Sequence, residues 1–277
     1  MTDPTPPRPA ARRDTYTHGH HDSVLRSHRR RTAENSAPHL LPHLRPGLDL
    51  LDVGCGPGTI TLDLARRVAP GRVVGIDAAP AVLEEARAVA AASGGPRPEY
   101  REGDAYALAM DAGSFDVVHA HQVLQHLTDP VAALREMHRV LRPGGLLAVR
   151  DSDYAAFAIA PRDAALERWN ALYHAVTARN GAQADAGRHL PAWVRAAGFA
   201  EPVVSAAASA YADPDDRAWW GGLWADRALY SDFAVQARRY GLASEDDLRE
   251  ISAAWRRWAA TEDALIILVH GQVLARR

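Results

Sequence analysis

The stretch that decides how this chain is read is Leu51-Asp52-Val53-Gly54-Cys55-Gly56-Pro57-Gly58-Thr59. It is preceded by the apolar run LDLLDV at 48–53, which predicts a buried strand, and followed by TITLDLARRVA at 59–69, whose apolar residues recur on one helical face. Between them, Gly54 and Gly56 permit a tight turn and close approach of backbone to a ligand, while the start of the helix presents unpaired amide donors. A glycine pair alone is weak evidence. This pair sits between strand and helix, and a second strand, RVVGID at 72–77, ends in Asp77 at the spacing of a dinucleotide-type half-fold.

Working outward, strand and helix signals alternate. Pro80 opens a helix continued by AVLEEARAVAAAS, PEYREGD at 98–104 gives a short third strand and exit loop, and FDVVHA at 115–120 a fourth strand. A helix over 131–141, a turn at Pro143-Gly144-Gly145 and a fifth strand at 146–151 follow. The alternation predicts an α/β fold, Rossmann-like and doubly wound, with a mostly parallel sheet covered on both faces. The rhythm then changes. Helices are expected near 162–179 and 188–197, strands at 202–211 and 264–275, and a mainly helical stretch at 214–260 broken near Gly221-Gly222 and Gly241. The last two strands would form an antiparallel C-terminal edge, with residues 212–262 as a helical insertion or cap. At the other end, residues 1–15 read as a mobile tail without the apolar core of a secretory signal. Residues 16–46 read as a helical lid whose helix starts near Asp22 or Ser23 and stops before Pro38, leaving 47–277 as the main domain.

Composition narrows the function. The chain has 277 residues, 47% apolar and 24% charged, enough for a sizeable core, and no apolar run long enough to span a bilayer. Its 32 basic residues, all Arg, balance 34 acidic ones to a net charge of -2, so the positive excess of a nucleic-acid binder is missing. The lone cysteine, Cys55, makes no internal disulfide, which points to a reducing cytoplasm.

Asp77, with Ala78 beside it, is placed to accept hydrogen bonds from both ribose hydroxyls; Asp104 is placed to take an adenine amino hydrogen, with Ala105 offering backbone recognition. Taken singly, either aspartate could be a helix cap or a solvated loop residue. A nicotinamide cofactor would favour glycine at the third fingerprint position, where Thr59 stands, and this argues against an NAD-dependent oxidoreductase.

The ordered segments LDVGCGPGT, VVGID, EGDA, FDVVHAHQVLQHLTDP and LREMHRVLRPGG resemble the successive motifs of class I S-adenosylmethionine-dependent methyltransferases, most closely the ubiquinone/menaquinone-biosynthesis-like branch of the methyltransferase domain 11 or 25 type. The resemblance spans about 100 residues, from Leu48 to Asp151. It implies a seven-stranded sheet and S-adenosylmethionine as cofactor. Asp52 and the loop Gly54, Cys55, Gly56, Pro57 and Gly58 would face its amino-acid portion, Asp77 its ribose, Asp104 and Ala105 its adenine, and His121 and Gln122 the methyl-transfer region. Tyr16 and Arg31 would help close the pocket, Arg31 against the cofactor carboxylate.

For chemistry, methyl transfer requires an aligned nucleophile and exclusion of water, and a base only when the nucleophile is protonated. The candidates are His121 and His126 beyond the fourth strand and, from the lid, His20 and His21; each is also readable as a contact, cap or turn residue. THGHH, with His18, His20 and His21, lacks the further ligands of a metal site, so no metal is expected. All seven tryptophans follow residue 168, and Trp220 and Trp224 share a helical face that either lines an acceptor pocket or packs helix on sheet. The expectation is methylation of a small or moderately sized organic acceptor, with no nucleic acid and with a homodimer as the candidate assembly. An NAD-dependent oxidoreductase and a nonenzymatic cofactor-binding interaction scaffold are the alternatives.

Overall fold

The computed structural model describes residues 14–19 and 21–277; the first thirteen residues of the expected tail, and His20, lie outside them. Five strands run in the doubly wound order. β1 (Leu50–Val53), buried at all four positions, pairs in parallel with β2 (Val73–Asp77) on one side and β4 (Phe115–His121) on the other. β3 (Glu99–Glu102) extends the sheet beyond β2, and β5 (Leu141–Ser152) extends it beyond β4, both in parallel. Strand order therefore reverses between β1 and β4, which opens a crevice at their carboxyl ends.

The C-terminal edge is antiparallel, as expected. β8 (Leu265–Arg276) pairs with β5 through residues 270–276 and with β7 (Ala200–Tyr211) over nearly its whole length. An eighth strand, β6 (Ala158–Ala160), pairs with β8 at Leu265–Ile267, two of whose residues also pair with β7. A strand has two edges, so β6 lies on the edge that β5 uses and prolongs the β5 row; the sheet has seven rows, one of them in two pieces. The expected turn at 143–145 is an irregular segment inside β5, with Gly144 at φ +78° and regular pairing to β4 resuming at Leu146.

Helices cover both faces. α3 (Thr59–Val68) and α4 (Pro80–Ala92) follow β1 and β2; α5 (Pro130–Val140) starts at Asp129, whose side chain accepts from Ala132 N. α6 (Ala164–Arg179) and α7 (Ala186–Ala196) precede β7. Between β7 and β8 come α8 (Pro214–Tyr230), capped by Asp213, α9 (Asp232–Arg239) and α10 (Glu245–Ala260), opened by a reciprocal Ser244–Asp247 capping box.

Two expectations about these helices are corrected. α8 runs unbroken through Gly221-Gly222, because Gly221 is where α10 presses closest: a Cβ there would stand 2.7 Å from Trp255 O and 2.8 Å from Ala259 Cβ. The lid is two helices rather than one, α1 (Asp22–Arg29) and α2 (Ala33–Ser36), and the Thr32 capping box that starts α2 ends the first helix at Arg30-Arg31. The cap has its own core, in which Trp169 meets Trp224 and Trp255 edge-on at ring separations of 4.5 and 4.8 Å.

Candidate functional site

A cavity of about 1050 Å³ lies over the crevice, floored by the loops after β1, β2, β3 and β4 and walled by α1, β7, β8 and α8. Its volume is at the upper end of the roughly 300–1,000 Å³ typical of small-molecule pockets, room for two ligands side by side.

The β1 loop is tied into place by the carboxylates around it. Asp52 Oδ1 accepts from His119 Nδ1 (2.7 Å) and Oδ2 from the Thr61 hydroxyl (2.5 Å), so this buried aspartate anchors the strand end to β4 and α3. Asp77 Oδ2 accepts from Gly56 N (3.0 Å) and Oδ1 from Ala79 N (3.0 Å), which fixes the glycine loop against the tip of β2 and leaves further acceptor directions on both oxygens. Gly54, Gly56 and Gly58 all have positive φ. Their surroundings differ. A Cβ at Gly54 would collide with Val123 Cγ2 at 2.4 Å, whereas one at Gly56 would meet nothing nearer than His28 Nδ1 at 4.0 Å, so the space before Gly56 is open to a ligand. Gly58 is a packing glycine that is not among the lining residues: a Cβ would stand 2.6 Å from the Tyr100 hydroxyl.

Among the expected cofactor residues, Tyr16, Arg31, Asp52, Gly54, Cys55, Gly56, Pro57, Asp77, Ala78, Asp104, Ala105, His121 and Gln122 all line this one cavity. Asp104 accepts from Tyr106 N through Oδ1, leaving Oδ2 without a hydrogen-bond partner among the described residues. Gln122 is held at φ +55°, an uncommon conformation for a non-glycine residue. That turn places its amide between two partners. Arg31 Nη2 donates to Gln122 Oε1 (2.6 Å), which orients the amide so that Nε2 donates to His270 Nε2 (2.9 Å). His270 therefore carries its proton on Nδ1.

His121 and His126 also reach the cavity. Burial, with the Arg31 charge added, pushes His126 down to about 3 and His121 well below 6.5; Arg150 contributes further at His121. His121 is neutral, and its Nδ1 has no hydrogen-bond partner among the described residues. Its ring lies nearly parallel to that of His270, with centroids 6.4 Å apart. The Tyr16 ring is edge-on to His126 at 4.7 Å.

Other expectations part from this arrangement. His21 is the N-cap of α1, bonded through Nδ1 to Ser23, and does not line the cavity; His20 lies outside the described residues. Trp220 lines the cavity, but Trp224 is fully buried in the cap core because the helical face the two share turns inward one turn later. Trp219 joins Trp220 at the wall, with the Arg30 guanidinium 4.3 Å over its ring. Arg150, Arg227, His270, Tyr154 and Tyr211 line the cavity without having been singled out from sequence. They come from β5, α8, β8, the turn after β5 and β7, and no motif links them. No cluster of three or more His, Cys, Asp or Glu among the described residues could hold a metal ion, and no helix among them is long and apolar enough to cross a membrane.

Residues 51–149 match the family model described as Methyltransferase domain. The "Uncharacterized methyltransferase C1B3.06c" of Schizosaccharomyces pombe is 30% identical over 274 residues, spanning 95% of this chain and 96% of that protein. The demethylmenaquinone methyltransferase of Lactococcus lactis is 41% identical over 100 residues, 36% of this chain and 40% of that protein. Among solved structures, YcgJ of Bacillus subtilis shares the fold at a TM-score of 0.57 and 20% identity, over 88% of this chain and 99% of that one.

Proposed function

The chain belongs to the class I S-adenosylmethionine-dependent methyltransferases and transfers a methyl group from that cofactor to an organic acceptor; from this premise we propose how its residues divide the work. The cofactor supplies an electrophilic methyl group on a sulfonium. The observation that carries the assignment is the open face of Gly56 beside Asp77, where a carboxylate with spare acceptor directions stands next to a glycine loop with room in front of it. Asp77 would hold the ribose hydroxyls, Asp104 and Ala105 the adenine, and Arg31 the cofactor carboxylate, while Asp52 holds the loop in shape from behind. Gln122, braced by Arg31 and His270, would border the methyl group, and His121, kept neutral by burial, would accept the proton of a hydroxyl acceptor. His126 and Tyr16 would shield the site from water, and Trp220 would face the acceptor.

The quinone-biosynthesis-like placement is supported only over the cofactor half, since the Lactococcus relative aligns with 36% of the chain. Buried Cys55 is consistent with a cytoplasmic location. For assembly, a second copy of the chain is the occupant we assign to the outer edge of β7: this 12-residue strand pairs only with β8 among the described residues and exposes Val203 and Val204 at 65% and 53%.

The test is incubation with methyl-labelled S-adenosylmethionine and small-molecule extract, followed by mass spectrometry. Labelled product together with S-adenosylhomocysteine is expected. Cofactor binding with no labelled product from any extract would favour the scaffold reading.

A further inference from the structure

Four arginines line the cavity; Arg30 pairs with Asp216 (3.1 Å), and no carboxylate among the described residues lies within ion-pair distance of the other three. Arg150 on β5 is 2% exposed; its Nη1 donates to Asn35 O (2.6 Å) and its Nε to nothing. Arg227 on α8 is 5% exposed; its Nη2 donates to Ser27 Oγ (2.6 Å) and Ser23 O (3.1 Å), its Nε to nothing. Arg31, between the two lid helices, donates to the neutral Gln122 amide. Other arginines do have carboxylate partners: Arg142 is matched by Asp49 and Asp116, and Arg188 by Asp153.

The cationic groups are linked through Arg31, which feels the charge of Arg227 and is itself felt at Arg150. Burial lowers the affinity of each for its proton, with Arg227 adding to it at Arg31, Arg31 at Arg150 and Arg26 at Arg227, yet Arg31 and Arg150 are brought down only to about 10, and all three guanidinium groups stay charged at neutral pH. Five carboxylates line the same cavity, and none of them forms an ion pair with Arg31, Arg150 or Arg227; Asp14 accepts from Thr128 N. Asp52 is occupied by His119 and Thr61, and Asp77, Glu102 and Asp104 stand at the tips of β2 and β3. Leaving guanidinium groups buried and unmatched is costly, and the cost is relieved only by an anion that enters the cavity.

The cofactor cannot supply all of that charge. Its carboxylate offsets one guanidinium, but it also carries an ammonium and a sulfonium, so the loaded cavity is more positive than the free one. We propose that the acceptor is itself anionic, an aromatic or otherwise flat apolar molecule bearing a carboxylate, sulfonate or phosphate group that is received by Arg150 and Arg227 under the rings of Tyr154, Tyr211, Trp219 and Trp220. This rests on the methyltransferase reading and extends it to the acceptor. Bidentate contact with such an oxyanion is what a guanidinium fork is shaped for, and the aromatic wall supplies the apolar remainder.

The test uses a matched pair of fluorescent probes, 1-anilinonaphthalene-8-sulfonate and the neutral N-phenyl-1-naphthylamine, titrated into protein saturated with S-adenosylhomocysteine whose binding is first measured by calorimetry. The sulfonate is expected to bind about tenfold or more tightly than the neutral probe. Arg150→Gln and Arg227→Gln should each erase most of that preference while leaving the neutral probe's affinity in place, and Arg227→Lys should retain part of it. Equal affinity of the two probes for the wild-type protein, or failure of both to bind, would overturn the proposal, and neither result needs a substituted protein to fold. Failure of S-adenosylhomocysteine itself to bind would strike the cofactor assignment instead, so the two readings fail separately.

Discussion

Asp77 has two duties that a single substitution separates. It holds Gly56 N and Ala79 N, and it offers its remaining acceptor directions to the cavity. Asp77→Ala should weaken S-adenosylhomocysteine binding by about 1.5–3 kcal/mol, the worth of hydrogen bonds to a charged group. Calorimetry on the folded variant decides; unchanged affinity would remove the ribose assignment. His121 makes a kinetic prediction. Burial keeps it neutral well below 6.5, so the wild-type rate should show no loss as pH falls through about 6.5 on account of this residue. His121→Gln should lower kcat about a hundredfold or more for a hydroxyl acceptor with cofactor affinity preserved, and rising pH should restore part of the rate as solvent base substitutes. Single-turnover rates across the pH range measure this, and equal rates in variant and wild type would leave His121 as a wall residue.

At the scale of elements, the contact between α8 and α10 turns on two adjacent glycines with opposite expectations. Gly221→Ala would drive a methyl group against Trp255 O and Ala259 Cβ and should cost about 1–3 kcal/mol by forcing the helices apart. A Cβ at Gly222 would meet nothing within 4 Å, so Gly222→Ala should stabilise by about 0.5–1 kcal/mol through helix propensity alone. Urea unfolding of the two variants gives both signs in one experiment, and two shifts of the same sign would contradict the packing described. The same helix carries Arg227 and Trp220 into the cavity wall, so α8 links the stability of the cap to the shape of the acceptor side.

For the whole molecule, five cavity histidines set the response to acid. His18, His28, His121, His126 and His270 are all held below 6.5, first by burial, and His126 and His270 to about 3. Because each has a lower pKa folded than unfolded, the unfolded chain binds more protons between those limits, and stability falls as pH drops below about 6.5. Each contributes a slope of about 1.4 kcal/mol per pH unit. Asp151 opposes them: burial pushes it up to about 8, so the folded state holds its proton where the unfolded state does not. One group against five leaves the net sign unchanged. Urea titrations from pH 7 down to pH 5 should show the midpoint falling steadily, and a flat midpoint would mean that these imidazoles take up protons in the folded protein.

What the sequence determined by itself is the half of the molecule built from local signals. Gly54 and Gly56 between an apolar run and a helical period, Asp77 at the end of the next strand, and Asp104 after the third gave the doubly wound order and the cofactor side, because each is set by neighbours a few residues away. The helix starts read at Asp22 and Pro80 were legible for the same reason. Gly221 misled because a glycine that serves a helix crossing looks in sequence like one that ends a helix, and the difference lies in Trp255, 34 positions on. Only the tertiary structure turned Trp224 into the core and left Trp220 at the wall, and only it gathered Arg31, Arg150, Arg227 and His270 around one cavity. Their meeting depends on the β5–β8 pairing and on α8 lying across α1, contacts made between residues more than a hundred positions apart, which no local pattern of side chains records.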